Sequence, residues 1–408
     1  MQKAVAGRPR ARHCACIMLE RLEEQSPDAL LALIKLHAAD ERPDKIDLGV
    51  GVYRTGQGET PVFGAIKAAE QLLVDEQDSK SYLGPEGDTG FVNALMPYIF
   101  GENATMGGRI AGMQTPGGTG AVRLAAALAQ KAGMKRLHMG TPSWPNHAQI
   151  LGDLALEMVP FDHARPDGTA DLDAVLAAIR NAGPDEGILL HGCCHNPTGI
   201  DYSDEDWEAI GDAIVESGIF PIIDTAYHGL GNGLEEDVAG LRSVLAKVPE
   251  AFICYSCDKN FGMYRDRVGA FYILADGQET LDKAFSNANA LARASWSMPP
   301  DHGAAAVRLI LRDSGLTQQW TDELDQMRER MRQVRERLAE AGKAGSVDLT
   351  PLGHQNGLFS VLPISKEQVA QLRSDHGIYM AGSGRINIAG LTMNNIDKFI
   401  EAIAEVTG

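Results

Sequence analysis

The stretch "SCDKNFGMYRDRVGAF", Ser256–Phe271, decides how this chain is read. The apolar run "AFICY" leads into it and the apolar run "VGAFYIL" leaves it. Lys259 therefore stands just past the end of one buried segment, and Arg267 just before the next. A lysine in that position is either a solvated loop residue or an amine held for covalent chemistry. Which applies depends on what the other apolar runs carry at their ends.

Outward from Lys259, short apolar runs alternate with Ala- and Leu-rich helical stretches. "RLHMG" is followed by a loop, "GILLHG" by a loop and the helix-like "DEDWEAIGDAIVESG", and "IFPIID" by "TAYHG". This alternation predicts an α/β fold, a mainly parallel sheet wrapped by helices. Ligands of such sheets sit beyond the carboxyl ends of the strands, so the polar residues that terminate each run are the ones to follow.

After "SMPPDHG" the pattern changes. Leu316, Trp320, Leu324, Met327, Met331, Val334 and Leu338 recur at steps of three and four, which predicts a long amphipathic helix. It leads toward a smaller C-terminal unit, 346–408, whose core needs a partner that the segment from Met18 to about Thr60 supplies. A chain of 408 residues is too long for one ordinary core. The expected division is residues 18–61 plus 327–408 as a small α+β domain built from both chain ends, and 62–326 as the large domain.

A hydrophobic share of 44% and a charged share of 23% are those of a soluble globular protein. The net charge of −18 argues against nucleic acid or an anionic membrane surface as partner, while local arginines still permit a small acidic substrate. No run approaches the roughly eighteen apolar residues of a membrane helix. Within the basic N-terminus "MQKAVAGRPRARHCACIMLERL", the run "CACIML" is too short for a secretory core. Residues 1–17 are read as a disordered tail or an over-extended start ahead of Met18, with an arginine-rich transit peptide left open. Cysteines at 14, 16, 193, 194, 254 and 257 form no disulfide framework, and a reducing cytoplasm is expected.

Four motifs carry candidate chemistry. In "TPGGTGAVRLAAALAQKAG", Gly117, Gly118 and Gly120 open into a helix, so backbone N–H groups and the helix dipole converge as they do around a phosphate. No Gly-Lys-Ser/Thr follows and the third dinucleotide glycine falls on Arg123, which disfavours a Walker loop and a dehydrogenase. A plain helix N-terminus is the alternative. Asp224 ends "IFPIID", where a buried carboxylate needs a cation opposite unless it merely caps a helix or turn. In "LLHGCCHNPTG", neighbouring strand residues point to opposite faces and no CxxC spacing exists, so a metal is disfavoured. There Asn196 presents an amide before Pro197, and the cysteines read as small buried hydrophobes. Arg385 in "MAGSGRINIAG" and Arg293 in "LARASWSMPP" are either carboxylate clamps or surface ion pairs. Together, a phosphate cradle, an aspartate and a lysine at strand tips, and a carboxylate-clamping arginine are what pyridoxal phosphate requires.

At this point a resemblance becomes specific. "LGVGVYR", "YLGPEG", "TPGGTGA", "PSWPNH", "HGCCHNPTG", "GLEEDVAG", "SCDKNFGMYRDRVG" and "SGRINIAG" resemble the block motifs of the class I aspartate and aromatic amino acid aminotransferases, which are fold-type I pyridoxal phosphate enzymes. The likeness is co-linear from about Asp47 to the C-terminus. It implies Lys259 as the Schiff-base lysine and base, Asp224 as partner of the pyridine nitrogen, and Tyr227 and Asn196 on the ring's phenolic oxygen. Trp144 would stack on the ring and His147 would support Asp224. Gly118, Thr119, Ser256 and Arg267 would hold the phosphate, with Tyr82 reaching in from a second subunit. Arg385 would take the substrate α-carboxylate, Gly51 would line its site, and Arg293 of the neighbouring subunit would meet a side-chain carboxylate. A homodimer with shared active sites follows from those crossings.

Burial and the cations Arg267 and Arg385 are expected to lower the titration of Lys259. The chain departs from the family pattern at Asp258, where serine is usual, and at the bulky Trp296 and Met298. Val52, Thr60 and Thr119 are aspartate-like. The function expected is amino transfer between L-aspartate, or an aromatic amino acid, and 2-oxoglutarate. An aromatic preference, another pyridoxal reaction on the same scaffold, and a non-catalytic pyridoxal-binding module are the alternatives; the lack of a basic DNA-binding segment speaks against the last.

Overall fold

The computed structural model describes residues 18–24, 29–102 and 104–408, so the tail expected over 1–17 lies outside the described residues. Helix α1 (Ala29–Ala39) leads to a two-residue strand β1 (Ile46–Asp47), then to α2 (Gly64–Glu76) and α3 (Thr89–Phe100). The βα alternation follows: β2 (Ile110–Pro116), α4 (Gly117–Lys131), β3 (Arg136–Thr141), α5 (Pro145–Asp153), β4 (Glu157–Asp162), α6 (Leu172–Arg180), β5 (Glu186–His191), α7 (Asp204–Ser217), β6 (Phe220–Thr225), α8 (Ala239–Lys247), β7 (Ala251–Ser256) and β8 (Val268–Leu274).

Strands β2 to β8 form one sheet in the order β2-β8-β7-β6-β5-β3-β4. Every pair is parallel except those made by β8, which runs antiparallel to both β2 and β7. The expected parallel sheet is therefore present with one reversed strand, the one that begins right after Arg267.

The apolar runs are continuous because the inner strands are covered on both faces. Side chains alternate between two cores. Ile222, Phe252 and Cys254 pack under α4, α5 and α9 (Gln278–Ser295), whereas Ile223, Ile253 and Tyr255 pack with α3, α7, α8 and α10 (Asp301–Arg312). Helix α7 shows how locally its ends are set. Ser203 and Asp206 form a capping box at its start, and Gly218 in the left-handed region closes it.

The amphipathic helix is α11, Ser314–Glu340, which runs unbroken through position 327 and buries Trp320, Leu324, Met327, Met331, Val334 and Leu338. Beyond it lie the short strands β9 (Lys343–Ala344), β10 (Val347–Asp348) and β11 (Phe359–Val361), then α12 (Lys366–His376), β12 (Ile378–Tyr379), β13 (Arg385–Asn387) and α13 (Ile396–Thr407). β11 pairs antiparallel with β13, and β1 pairs parallel with β12, joining the two ends of the chain. Arg335, buried on α11, has no carboxylate partner among the described residues. It donates instead to the carbonyls of Leu352, Asn356, Gly357 and Phe359 and to Ser360 Oγ, tying the helix to the loop before β11.

Candidate active site

The carboxyl ends of β5, β6 and β7 and the β2–α4 junction open on one cleft. Asp224 is the penultimate residue of β6, Ser256 is the last of β7, and Lys259 follows β7 by one turn. Lys259, Asp224, Tyr227, Asn196, Trp144, Gly118 and Thr119 all line the cleft, so residues far apart in sequence meet where the strand ends converge. The Lys259 Nζ lies 5.3 Å from the centre of the Tyr227 ring, and Asn196 Nδ2 donates to the Tyr227 hydroxyl at 3.2 Å.

Behind Asp224 runs a hydrogen-bonded chain whose polarity is set by a backbone amide. The Asn196 N–H donates to His191 Nδ1 at 3.4 Å, which leaves the proton on Nε2 to face Ser143 Oγ at 3.2 Å. Ser143 Oγ lies 3.0 Å from His147 Nδ1, and His147 Nε2 then donates to Asp224 Oδ2 at 3.0 Å. Burial works to raise the Asp224 carboxyl. The His147 hydrogen bond and the charges of His147, His191 and Lys259 outweigh it and hold the carboxyl below its ordinary value. Burial, helped by the neighbouring His147 and His163 and opposed by Asp224, pushes His191 down to about 3. Asp224 Oδ1 is buried with no partner among the described residues. A buried carboxylate oxygen left bare costs free energy, and the ring N–H of a pyridinium held in the cleft that Asp224 lines would satisfy it.

Lys259 is partly buried and lines the cleft, and the loss of solvent around it lowers its titration. Asp258 and Asp224 oppose the shift and Arg267 adds to it. Arg385 does not contribute as expected; its charge acts on Tyr227, whose phenol burial drives up. Arg385 instead donates from Nη2 to the Gly49 carbonyl at 2.9 Å and stacks 4.6 Å from the centre of the Phe359 ring. A Cβ at Gly51 would lie 2.6 Å from Phe359 Cζ, so glycine there lets the ring sit beneath the guanidinium.

Ser256, fully buried, faces Gly118, where a Cβ would approach its Cβ to 2.9 Å. Arg267 is held next to this glycine turn and pairs with Asp258. Tyr82 and Arg293 do not line the cleft of the single chain; both are exposed, Tyr82 at 94%. They adjoin through the Leu83 N–H, which donates to Met298 Sδ at 3.1 Å, while Arg293 Nη1 reaches Ser297 Oγ at 2.5 Å.

Ser143 and His191 are the functional positions that motif reading passed over. "LLHGCCHNPTG" was weighed for metal, whereas His191 is a hydrogen-bonding link. Cys193 and Cys194 approach Asp237 closely enough to suggest a metal cluster. The Asp237 carboxylate is already taken by the amides of Gly229, Gly231, Asn232 and Gly233.

A doubly covered sheet with a lysine and an aspartate at neighbouring strand tips, facing a glycine-lined helix start, defines a pyridoxal-phosphate-dependent transferase of fold type I. The profile of the family "Aminotransferase class I and II" matches residues 43–403, and this chain belongs to that family. It is 48% identical over 392 residues to the tyrosine aminotransferase of Rhizobium meliloti (strain 1021), covering 96% of this chain and 99% of that protein. It is 40% identical over 395 residues to the aspartate aminotransferase of Escherichia coli (strain K12), covering 95% and 100%. Among solved structures, an aromatic-amino-acid aminotransferase from Burkholderia pseudomallei, covalently bound to pyridoxal phosphate, superposes with a TM-score of 0.92 at 31% identity, covering 96% of this chain and all of that one. The protein is an aminotransferase that uses pyridoxal phosphate and acts on amino acids and oxo acids.

Proposed function

We propose that this enzyme moves the amino group of L-aspartate, or of an aromatic amino acid, to 2-oxoglutarate. The observation that carries the reading is that Lys259 and Asp224 line the same cleft, with Asp224 Oδ1 buried and without a partner among the described residues. Once bound, pyridoxal phosphate supplies an aldehyde for an amine and a cationic ring that draws electrons from the substrate Cα. Asp224 is the acceptor for the ring N–H, and His147 fixes that carboxylate in place. Asn196 and Tyr227 meet the phenolic oxygen, and Trp144 covers the ring face. Gly118, Thr119, Ser256 and Arg267 receive the phosphate.

Lys259 Nζ is the covalent tether and, when the substrate amine takes its place, the base that accepts the Cα proton. Its lowered titration suits that task near neutral pH. Arg385 receives the α-carboxylate in a fork whose Nε is still unpartnered among the described residues.

The exposure of Tyr82 and Arg293 supports a homodimer in which each chain lends both residues to its partner's cleft. Residues 18–61 and 327–408, joined by the β1–β12 pair and the Arg385–Gly49 hydrogen bond, are proposed to act as one small domain against 62–326. No described helix is long and apolar enough to cross a membrane, and a cytoplasmic setting fits the four buried free cysteines among the described residues.

An aromatic preference is the second reading, favoured by Trp296 and Met298 beside Arg293 and by the likeness to a tyrosine aminotransferase. A panel of amino donors against 2-oxoglutarate tests both. Oxaloacetate from aspartate is the expected product of the first reading, and its absence, with turnover of tyrosine or phenylalanine, establishes the second.

A further inference from the structure

One end of the cleft is built by three backbone segments that crowd together. Gly117 has φ +71°, and a Cβ there would lie 2.5 Å from Arg267 Nη2 and 3.0 Å from Asp258 Oδ2. A Cβ at Gly269 would lie 2.5 Å from the carbonyl carbon of Gly117. Arg267, itself at φ +56°, points its guanidinium into this corner.

Its charge is already answered there. Arg267 Nη1 donates to Asp258 Oδ2 and to the Tyr264 carbonyl at 3.1 Å. Asp258 is 2% exposed, lines the cleft, and accepts the Val268 N–H on Oδ1 at 3.1 Å. The corner read above as the phosphate seat thus contains a buried carboxylate on the very arginine a phosphate would use.

We propose that Asp258 is a resident counter-anion that sets the phosphate affinity of this cleft, so that the chain grips phosphate esters less tightly than it would with an uncharged residue at that position. The inference rests on the reading of Arg267 as a phosphate ligand. Two effects of removing the carboxylate compete. The guanidinium loses one anchor, and the incoming phosphate loses a repelling charge. The anchor is partly redundant, because the Tyr264 carbonyl and the Gly117 turn also hold Arg267. The repulsion is not, because two anions would share one cation in a buried corner, where charges act strongly on each other. Repulsion therefore wins. Asp258 also favours the charged form of the adjoining Lys259, but that influence reaches any aldehyde bound there, with or without a phosphate.

The test titrates the full-length chain, freed of cofactor, with pyridoxal 5'-phosphate, pyridoxal and inorganic phosphate. Asp258→Asn removes the charge with little change of shape and keeps one acceptor, enough for either the Arg267 or the Val268 N–H, and Asp258→Ser removes it with less bulk should asparagine misfold. Either variant is expected to bind pyridoxal phosphate and inorganic phosphate about tenfold or more tightly than the parent, with pyridoxal within about twofold of it. Unchanged or weaker phosphate binding overturns the proposal, as does an equal gain for pyridoxal, which would place the effect at Lys259. Arg267→Gln separates the two levels. If it leaves inorganic phosphate binding intact, the phosphate seat itself is misassigned; if it abolishes that binding while Asp258→Asn changes nothing, only the role of Asp258 fails.

Discussion

His147 Nε2 donates to Asp224 Oδ2 at 3.0 Å, and the other carboxylate oxygen of Asp224 is buried without a partner. One oxygen is thereby fixed, and the other is left for the ring proton of the cofactor that Asp224 is proposed to meet. Asp224→Asn keeps the shape but removes the charge that holds that proton. The expected loss in kcat is about a hundred- to a thousandfold, with thermal unfolding little changed. Full activity in steady-state assays of this variant would show that Asp224 does not face the ring nitrogen.

Lys259→Ala is expected to abolish fixation of the cofactor to the chain by borohydride and to lower turnover by about ten-thousandfold. The mass of the reduced protein and the rate are read on the same sample. A variant that still gains the cofactor's mass on reduction has a different lysine as its tether.

If Arg293 meets a side-chain carboxylate in the partner's cleft, as proposed, it bears on specificity rather than on chemistry common to all donors. Arg293→Asp should lower kcat/KM for aspartate by about a hundredfold, because a carboxylate then meets a carboxylate, and change the value for phenylalanine far less. Equal losses on both donors would make it a structural arginine.

Gly117 cannot be replaced without cost. Its positive φ strains any other residue by about 1–2 kcal/mol, and a methyl group would collide with Arg267 Nη2. Gly117→Ala is expected to lower both the melting temperature and the affinity for pyridoxal phosphate, measured by calorimetry and by dialysis. A loss of stability alone would separate the turn from the phosphate seat.

Acid should weaken the fold through buried neutral imidazoles. His228 Nε2 donates to the Leu234 carbonyl at 2.6 Å, which leaves Nδ1 to accept from the Tyr255 hydroxyl at 2.8 Å. Burial lowers its pKa from 6.5 to about 4, and His163 is lowered likewise to about 4. Below pH 6.5 the unfolded chain takes up a proton that the folded chain refuses until about pH 4. Stability therefore falls with falling pH across that window, by up to about 1.4 kcal/mol per pH unit for each such histidine. Urea unfolding of His228→Gln between those pH values should show a slope smaller by one proton; an unchanged slope means His228 titrates alike in both states.

Much of this arrangement is legible in the chain itself, for identifiable reasons. Strands covered on both faces leave unbroken apolar runs, and the residues closing those runs, Asp224 and Ser256 with Lys259 one turn on, fall at the cleft because parallel strands all end on one side. Direction is not written in an apolar run, so "VGAFYIL" gives no sign that β8 is reversed. The bond between Ser143 and His191 joins positions 48 residues apart and leaves no spacing to notice. The Asp258–Arg267 pair likewise appears only when the turn after β7 brings the two together.

The pairing of β1 with β12, and of Arg385 with the Gly49 carbonyl, has a consequence for synthesis. A ribosome delivers the whole central sheet long before it releases the residues that complete the carboxylate clamp. A nascent chain halted between Lys259 and Ile378 would carry the lysine and its aspartate and still lack the arginine proposed to recognise an amino acid.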